Sequence, residues 1–179
     1  MTQLHRERRI LFKLENVLVM GMVFVLMWVV IQRMEWFMRE SERVAFEITV
    51  NNLRTSLSYE ITRRLADGAA LNDLAALADT NPMDYAQPPK NYQGVFIAVD
   101  PQRLDPGTWH FDPNAHALVY RVRNDDIFQG SLPDPERARL HIQLKFKDAD
   151  GNGQFDPDID AFESLRLVPV EPYVWVESE

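Results

Sequence analysis

The sequence predicts an α+β protein: a long N-terminal helix, with a transmembrane half and an amphipathic half, packed on a four- to five-stranded antiparallel sheet. Three observations carry that reading. Val17 to Ile31 is an unbroken apolar run. After Arg33, apolar residues recur at spacings of three and four as far as Leu65, as in a helix that buries one face. From Gly94 onward, short apolar or alternating stretches are separated by Asp, Pro, Asn and Gly, which is how strands and tight turns are written.

The apolar run covers roughly 22 Å as a helix at about 1.5 Å per residue, less than the ~30 Å hydrocarbon core of a bilayer. Ile10 to Leu14 and the turn after Ile31 bring it to spanning length, with Lys13 and Arg33 placed to snorkel to the interfaces. Trp28, Trp36 and Phe37 suit those interfaces. A cleaved signal peptide would need a small-x-small site, whereas Gln32-Arg33-Met34-Glu35-Trp36 is bulky and charged. Arg6, Arg8, Arg9 and Lys13 precede the run, and Arg33, Arg39 and Arg43 follow it. Lys and Arg near the first flank set orientation, so the N-terminus is expected in the cytoplasm and the remainder in the periplasm.

Beyond the run, Phe46, Val50, Leu53, Leu57, Ile61 and Leu65 fall on one helix face, backed by Glu47, Asn51, Arg54, Thr55, Glu60 and Arg63. Asp67-Gly68 is a good stop. The stripe is too short for the sustained heptads of a coiled coil, so it is expected to pack on the chain's own sheet. A short helix is predicted over Asn72–Asp79 with Asn72 as its cap, then a proline-rich loop from Thr80 to Asn91. Strands are expected at Gly94–Val99, Thr108–Phe111, Ala117–Val122, Leu140–Lys147, Leu165–Val168 and Tyr173–Val176. Among these, Leu140, Ile142, Leu144 and Phe146 give the cleanest alternation. Strands joined by short turns pair antiparallel. The resulting organisation is a basic head at 1–14, a transmembrane helix at 15–33, its amphipathic continuation at 34–67 and a sheet domain at 68–179, large enough for one core.

Composition narrows the function. The 179-residue chain has a net charge of −8 and no cysteine, which argues against nucleic acid as a partner and rules out disulfides and thiolate metal ligands. His5, His110, His116 and His141 show no ligand spacing, and no serine or threonine sits in a nucleophile motif or phosphate loop. Trp109 and Trp175 read as core aromatics. No small-molecule substrate site is recognisable, and the chain is expected to be non-enzymatic.

One motif carries chemistry. Between two predicted strands, Asp148, Asp150 and Asn152 occupy positions 1, 3 and 5 of the calcium-loop template, with Gly153 at 6, Gln154 at 7 and Asp156 at 9. Alternate acids aim oxygens at one centre, as a hard cation requires. Position 12 is Ile159 where the template has Glu, with Asp158 and Asp160 beside it, and the strand flanks exclude an EF-hand. A solvated acidic turn is the competing reading, since Asp, Asn and Gly favour turns for backbone reasons. Crowded carboxylates repel without a cation, which favours a structural Ca2+ held by Asp148, Asp150, Asn152, Gln154, Asp156 and Asp160.

The membrane-embedded half-helix followed by a sheet resembles the type IV pilin and type II secretion pseudopilin family. Leu11-Phe12-Lys13-Leu14-Glu15-Asn16-Val17-Leu18-Val19 resembles the start of its mature chains, Gly107–Asp112 with Leu118–Arg121 resembles a sheet hairpin, and the acidic loop resembles the calcium loop of major pseudopilins. The resemblance implies that Glu15 makes an intramembrane polar contact. Ile10 departs from the glycine that the prepilin peptidase needs, which points to uncleaved, pilin-like accessory proteins of the MSHA pilus biogenesis type. The implied role is an inner-membrane component of pilus or secretion assembly, with pilin or pseudopilin subunits and inner-membrane assembly proteins as partners. A membrane-tethered periplasmic sensor or binding module is the alternative.

Overall fold

The computed structural model describes the backbone of residues 2–97 and 99–176, with side chains over 16–34, 37–97 and 99–176. The chain divides into two units, Met1–Ser41 and Glu42–Glu179, with helix α1 (Thr2–Ala66) contributing to both. In the first unit the described large apolar side chains from Val17 to Met38 are more than half exposed. Among the described residues, one helical stretch, Asn16–Ala66, is long and apolar enough to cross a membrane, and its most apolar 18-residue window has a mean hydropathy of 2.1. None of the described residues in that window is buried.

The second unit begins where the periodicity becomes one-sided. Phe46, Val50, Leu53 and Leu57 are each at most 3% exposed, whereas Leu65 at the end of the same stripe is 51% exposed. The core therefore stops about two turns before the helix does. The helix closes at Gly68, whose φ of +79° is open to glycine at little cost. The Gly68 N–H donates to the Leu65 carbonyl at 3.1 Å and the Ala69 N–H to the Arg64 carbonyl at 2.9 Å, the paired bonds of a Schellman stop.

Helix α2 (Leu71–Ala75) follows and runs into a 3-10 turn, Ala76–Asp79. Asn72 does not cap it. Ala70 stands at the cap position without a side-chain bond, and its carbonyl receives the Asp73 and Leu74 N–H groups at 3.0 and 3.3 Å. Fully buried Leu74 and nearly buried Leu77 hold this segment to the core.

Among the described residues the unit has seven strands: β1 (Tyr92–Val95), β2 (Thr108–Asp112), β3 (Ala117–Arg121), β4 (Phe128–Gly130), β5 (Arg137–Lys147), β6 (Ala161–Pro169) and β7 (Tyr173–Trp175). Five form a sheet in the order β1-β2-β3-β5-β6, and β4 pairs with β7 in a separate two-stranded ribbon. The main sheet is mostly antiparallel, but β1 runs parallel to β2. Residues 96–107 separate these strands and include the turn Pro101–Arg103, a connection long enough to cross over rather than turn back. The Tyr173–Val176 expectation therefore holds as a strand but not as a member of the main sheet. Its partner β4 is only three residues long and has too little periodicity to be visible in sequence.

The helix stripe, Leu118 and Tyr120 of β3, Leu140 and Ile142 of β5, and Leu165 and Leu167 of β6 join one core. Phe46 is its hub. Its ring lies 5.2 Å from both Trp109 and Tyr120, 5.3 Å from Trp175 and 5.7 Å from Tyr173, so one helix residue touches the main sheet and the ribbon together. One turn earlier, the buried Glu42 carboxylate accepts from the Tyr120 hydroxyl at 2.9 Å, the Arg123 N–H at 2.7 Å, the Asn124 N–H at 3.1 Å and the Asn124 side-chain amide at 2.5 Å. Burial pushes the Tyr120 phenol well above its usual range, and the neighbouring carboxylate adds to that.

Two substitutions test this anchor in urea unfolding of the full chain in detergent, followed by tryptophan fluorescence. Phe46→Ala is expected to cost about 3–5 kcal/mol, as for other large-to-small core changes. Glu42→Ala is expected to cost about 3 kcal/mol by leaving buried donors unpaired. Leu65→Ser, on the uncovered end of the same stripe, is expected to stay within about 0.5 kcal/mol.

Candidate metal centre

Residues 148–160 form the connection between β5 and β6. The hairpin is closed by the Lys147–Ala161 pair. Phe155 holds the loop down on that end, with its ring 5.4 Å from Phe146 and 6.4 Å from Phe162, both edge-on. The acidic residues are thus carried on a rigid two-strand support.

Backbone amides orient the carboxylates of Asp148, Asp150, Asp156 and Asp160. Asp148 accepts from the Gly151 N–H at 2.7 Å with one oxygen and from the Gly153 N–H at 2.8 Å with the other. Asp150 accepts from the Asn152 N–H at 3.1 Å, and the Asn152 side-chain Oδ1 accepts from the Gln154 N–H at 2.6 Å. Gly153, at the template's sharp-turn position, has φ +75°, a conformation that favours glycine. In the first half of the loop, Asp148 and Asp150 are braced around the turn at Gly153, and the Asn152 side chain bonds to its neighbours.

The second half departs from the template in register. The Asp156 carbonyl receives the Ile159 and Asp160 N–H groups at 3.1 and 2.7 Å, a single helical turn that folds the chain back. It delivers Asp160, 6% exposed, next to the start of the loop, where its two oxygens accept from the Ala149 and Asp156 N–H groups at 2.9 and 2.8 Å. Asp148, Asp150 and Asp160 form a cluster in which one oxygen of each lies within 4.8 Å of the others. Oxygens bound to one ion at about 2.3–2.6 Å lie no more than roughly 5 Å apart, so the cluster can hold a metal. Each carboxylate oxygen that accepts one hydrogen bond keeps a further lone pair, so the amide contacts do not use up the donor set.

Of the expected ligands, Asp148, Asp150 and Asp160 come together. Asp156 instead uses a carboxylate oxygen to accept the Asp158 N–H at 3.1 Å. Asn152 donates its side-chain amide to Asp150 at 2.8 Å, beside the cluster. The structure shows no bond from the Gln154 side chain. The Glu15 side chain lies outside the described residues. Ile159, which stands at the template's last ligand position, is 52% exposed; the one-residue offset to Asp160 is the work of the helical turn. An acid four residues after Asp156, closing a turn that Asp156 begins, was the signal for it.

The Asp148 carboxyl is held below the ordinary aspartate range, chiefly by the Gly153 N–H and further by the Gly151 N–H, with some opposing desolvation. No described histidine joins the cluster. His110 packs against Phe96 at 5.9 Å, and burial holds its imidazole below its usual range. His116 meets the Asp79 carbonyl at 3.1 Å.

No protein-family model, curated protein or solved structure matches the chain.

The sign of the acid response follows from the lowered Asp148 value. Its contribution to stability is complete above the ordinary carboxylate range and is lost as pH falls through the depressed value. An NMR titration is expected to show Asp148 protonating below the ordinary aspartate range, with the Gly151 and Gly153 amides shifting at the same midpoint.

Proposed function

We propose that the chain is a non-enzymatic, pilin-like component of a type IV pilus (MSHA-type) or type II secretion assembly system, anchored by one pass through the inner membrane. Its N-terminus faces the cytoplasm and its sheet domain the periplasm. The observation that carries the reading is the change of character along α1. The described residues from Val17 to Met38 expose their apolar side chains, while Phe46 to Leu57 bury one stripe in a mostly antiparallel sheet. A membrane helix that passes into the core helix of a sheet domain suits a subunit that packs beside other membrane helices and offers a folded head to soluble partners. Glu15, near the cytoplasmic end, then supplies a polar contact to a neighbouring subunit, since an acid on an apolar helix needs a partner in lipid.

In this reading the β5–β6 loop holds calcium as a structural ion. The all-oxygen donor set, its flexible spacing and the amide-braced carboxylates suit a hard cation of six to eight ligands. Binding stiffens the connection and relieves repulsion among the acids. It supplies no reactive water or electrophile that a catalytic group nearby would use.

Photo-crosslinking from Val19 of the full chain in native inner membranes tests the assembly role. Adducts with a pilin or pseudopilin subunit, or with an inner-membrane assembly protein, are expected, and Glu15→Leu is expected to reduce them. A chain that crosslinks to none of these overturns the reading. For the ion, thermal melting with calcium at about ten times its dissociation constant is expected to show roughly 1.4 kcal/mol of stabilisation. Asp148→Ala is expected to abolish it, and an unchanged melt in the parent chain dismisses the metal.

A further inference from the structure

The main sheet has two free edges, β1 and β6, and they differ. β1 is four residues long, while β6 spans nine. Between β6 and α1 runs a groove of about 450 Å³ whose walls include Arg54, Leu57, Ile61 and Thr62 on the helix and Arg166 and Val168 on the strand. We propose that this groove takes an extended, acidic segment of a partner protein as an added strand on β6. The inference needs only this groove and strand edge, and stands apart from the assembly role proposed above.

The backbone there is available. The Val170 N–H donates to the Arg139 carbonyl at 2.8 Å, which fixes the phase of the antiparallel ladder between β5 and β6. Alternate residues then bond inward, and Leu165 and Leu167 turn their N–H and C=O groups away from β5. Arg54 marks the same point independently, because its Nε donates to the Leu167 carbonyl at 3.2 Å. A side chain is standing where the next strand would donate. Edge strands with open backbone groups are the usual templates for strand addition.

Charge selects the occupant. The chain as a whole carries −8, yet the only charged side chains lining this groove are Arg54 and Arg166, both cationic and both exposed. The same lining includes Leu57, Ile61 and Val168. Leu165 and Leu167 face the core while Arg166 faces the opposite side. A segment alternating small apolar and acidic residues therefore fits: its apolar side chains meet Leu57 and Ile61, and its acids meet Arg166. On docking, an incoming N–H replaces Arg54 at the Leu167 carbonyl, and the released guanidinium pairs with a partner carboxylate. Like-charged segments are rejected by both arginines.

The test uses the full chain in detergent with two labelled eight-residue synthetic peptides, one alternating valine with glutamate and the other valine with lysine. Fluorescence anisotropy is expected to saturate with the glutamate peptide and to show at least tenfold weaker binding of the lysine peptide at low salt. Hydrogen exchange is expected to slow at the Leu165 and Leu167 amides on binding. Arg166→Glu, a change at an exposed position, is expected to reduce or reverse the preference while leaving the melting temperature unchanged. No saturation, equal binding of both peptides, or protection outside β6 overturns the proposal. Sedimentation showing that two copies of this chain pair through β6 overturns the assigned occupant.

Discussion

The second unit depends on how one turn of helix is fixed to three separate pieces of the sheet domain. Phe46 contacts a ring from β2, a ring from β3 and two from β7, and Glu42 accepts from Tyr120, Arg123 and Asn124. Apolar burial alone is non-directional and would let a helix slide or roll along a sheet. The carboxylate removes that freedom, since its oxygens reach their four donors in one placement only. The same contacts explain why β4 and β7 form a separate ribbon. Phe128 on β4 lies 5.4 Å from Tyr173 and 5.0 Å from Trp175, so the ribbon closes over the Phe46 end of the core as an aromatic cover.

Much of this was legible in sequence because it rests on periodicity. The stripe from Phe46 to Leu57 and the alternation of β5 are repeated signals, each residue supporting the next. What was not legible depends on contacts between distant residues. Glu42 lies among Arg39, Glu40 and Arg43 and reads as one more interfacial charge; its burial appears only once Tyr120 and Asn124 arrive beside it. The parallel pairing of β1 with β2 likewise depends on how the twelve intervening residues cross, which no local pattern encodes. The ribbon strands are three residues each, too short for a period to register.

The acidic loop shows the same division at smaller scale. Asp148 and Asp150 converge and Gly153 makes the left-handed turn, which a short alternating polar run encodes locally, whereas Asn152 turns its side-chain amide onto Asp150 and stays beside the cluster. The closing ligand does not follow from spacing. The helical turn begun by Asp156 moves the last acid one place along, so Asp160 takes the part that the template assigns to the residue before it. A buried carboxylate with both oxygens bonded to N–H groups is affordable where an unpaired one is not. That makes Asp160 a structural member of the loop with or without a cation, while exposed Asp148 and Asp150 supply the charge that a cation would neutralise.

The two edges of the main sheet extend this reasoning to what the domain presents outward. An open strand edge invites unwanted pairing, and β1 limits that risk by its short length. At β6 the chain uses a different device, a side chain from the neighbouring helix placed on one carbonyl. A blocking group that is covalently part of the fold, such as a proline or a bulge, closes an edge permanently. Pro169 does so only at the end of β6, and the bulge between Lys145 and Phe146 lies toward the opposite end. Between them the edge is guarded by one long, exposed, rotatable arginine. That guard can be displaced, because an incoming N–H makes the same bond to the Leu167 carbonyl that Arg54 gives up. It deters strands that bring no compensating charge and yields to those that do, so the middle of β6 is a selective edge and not a sealed one.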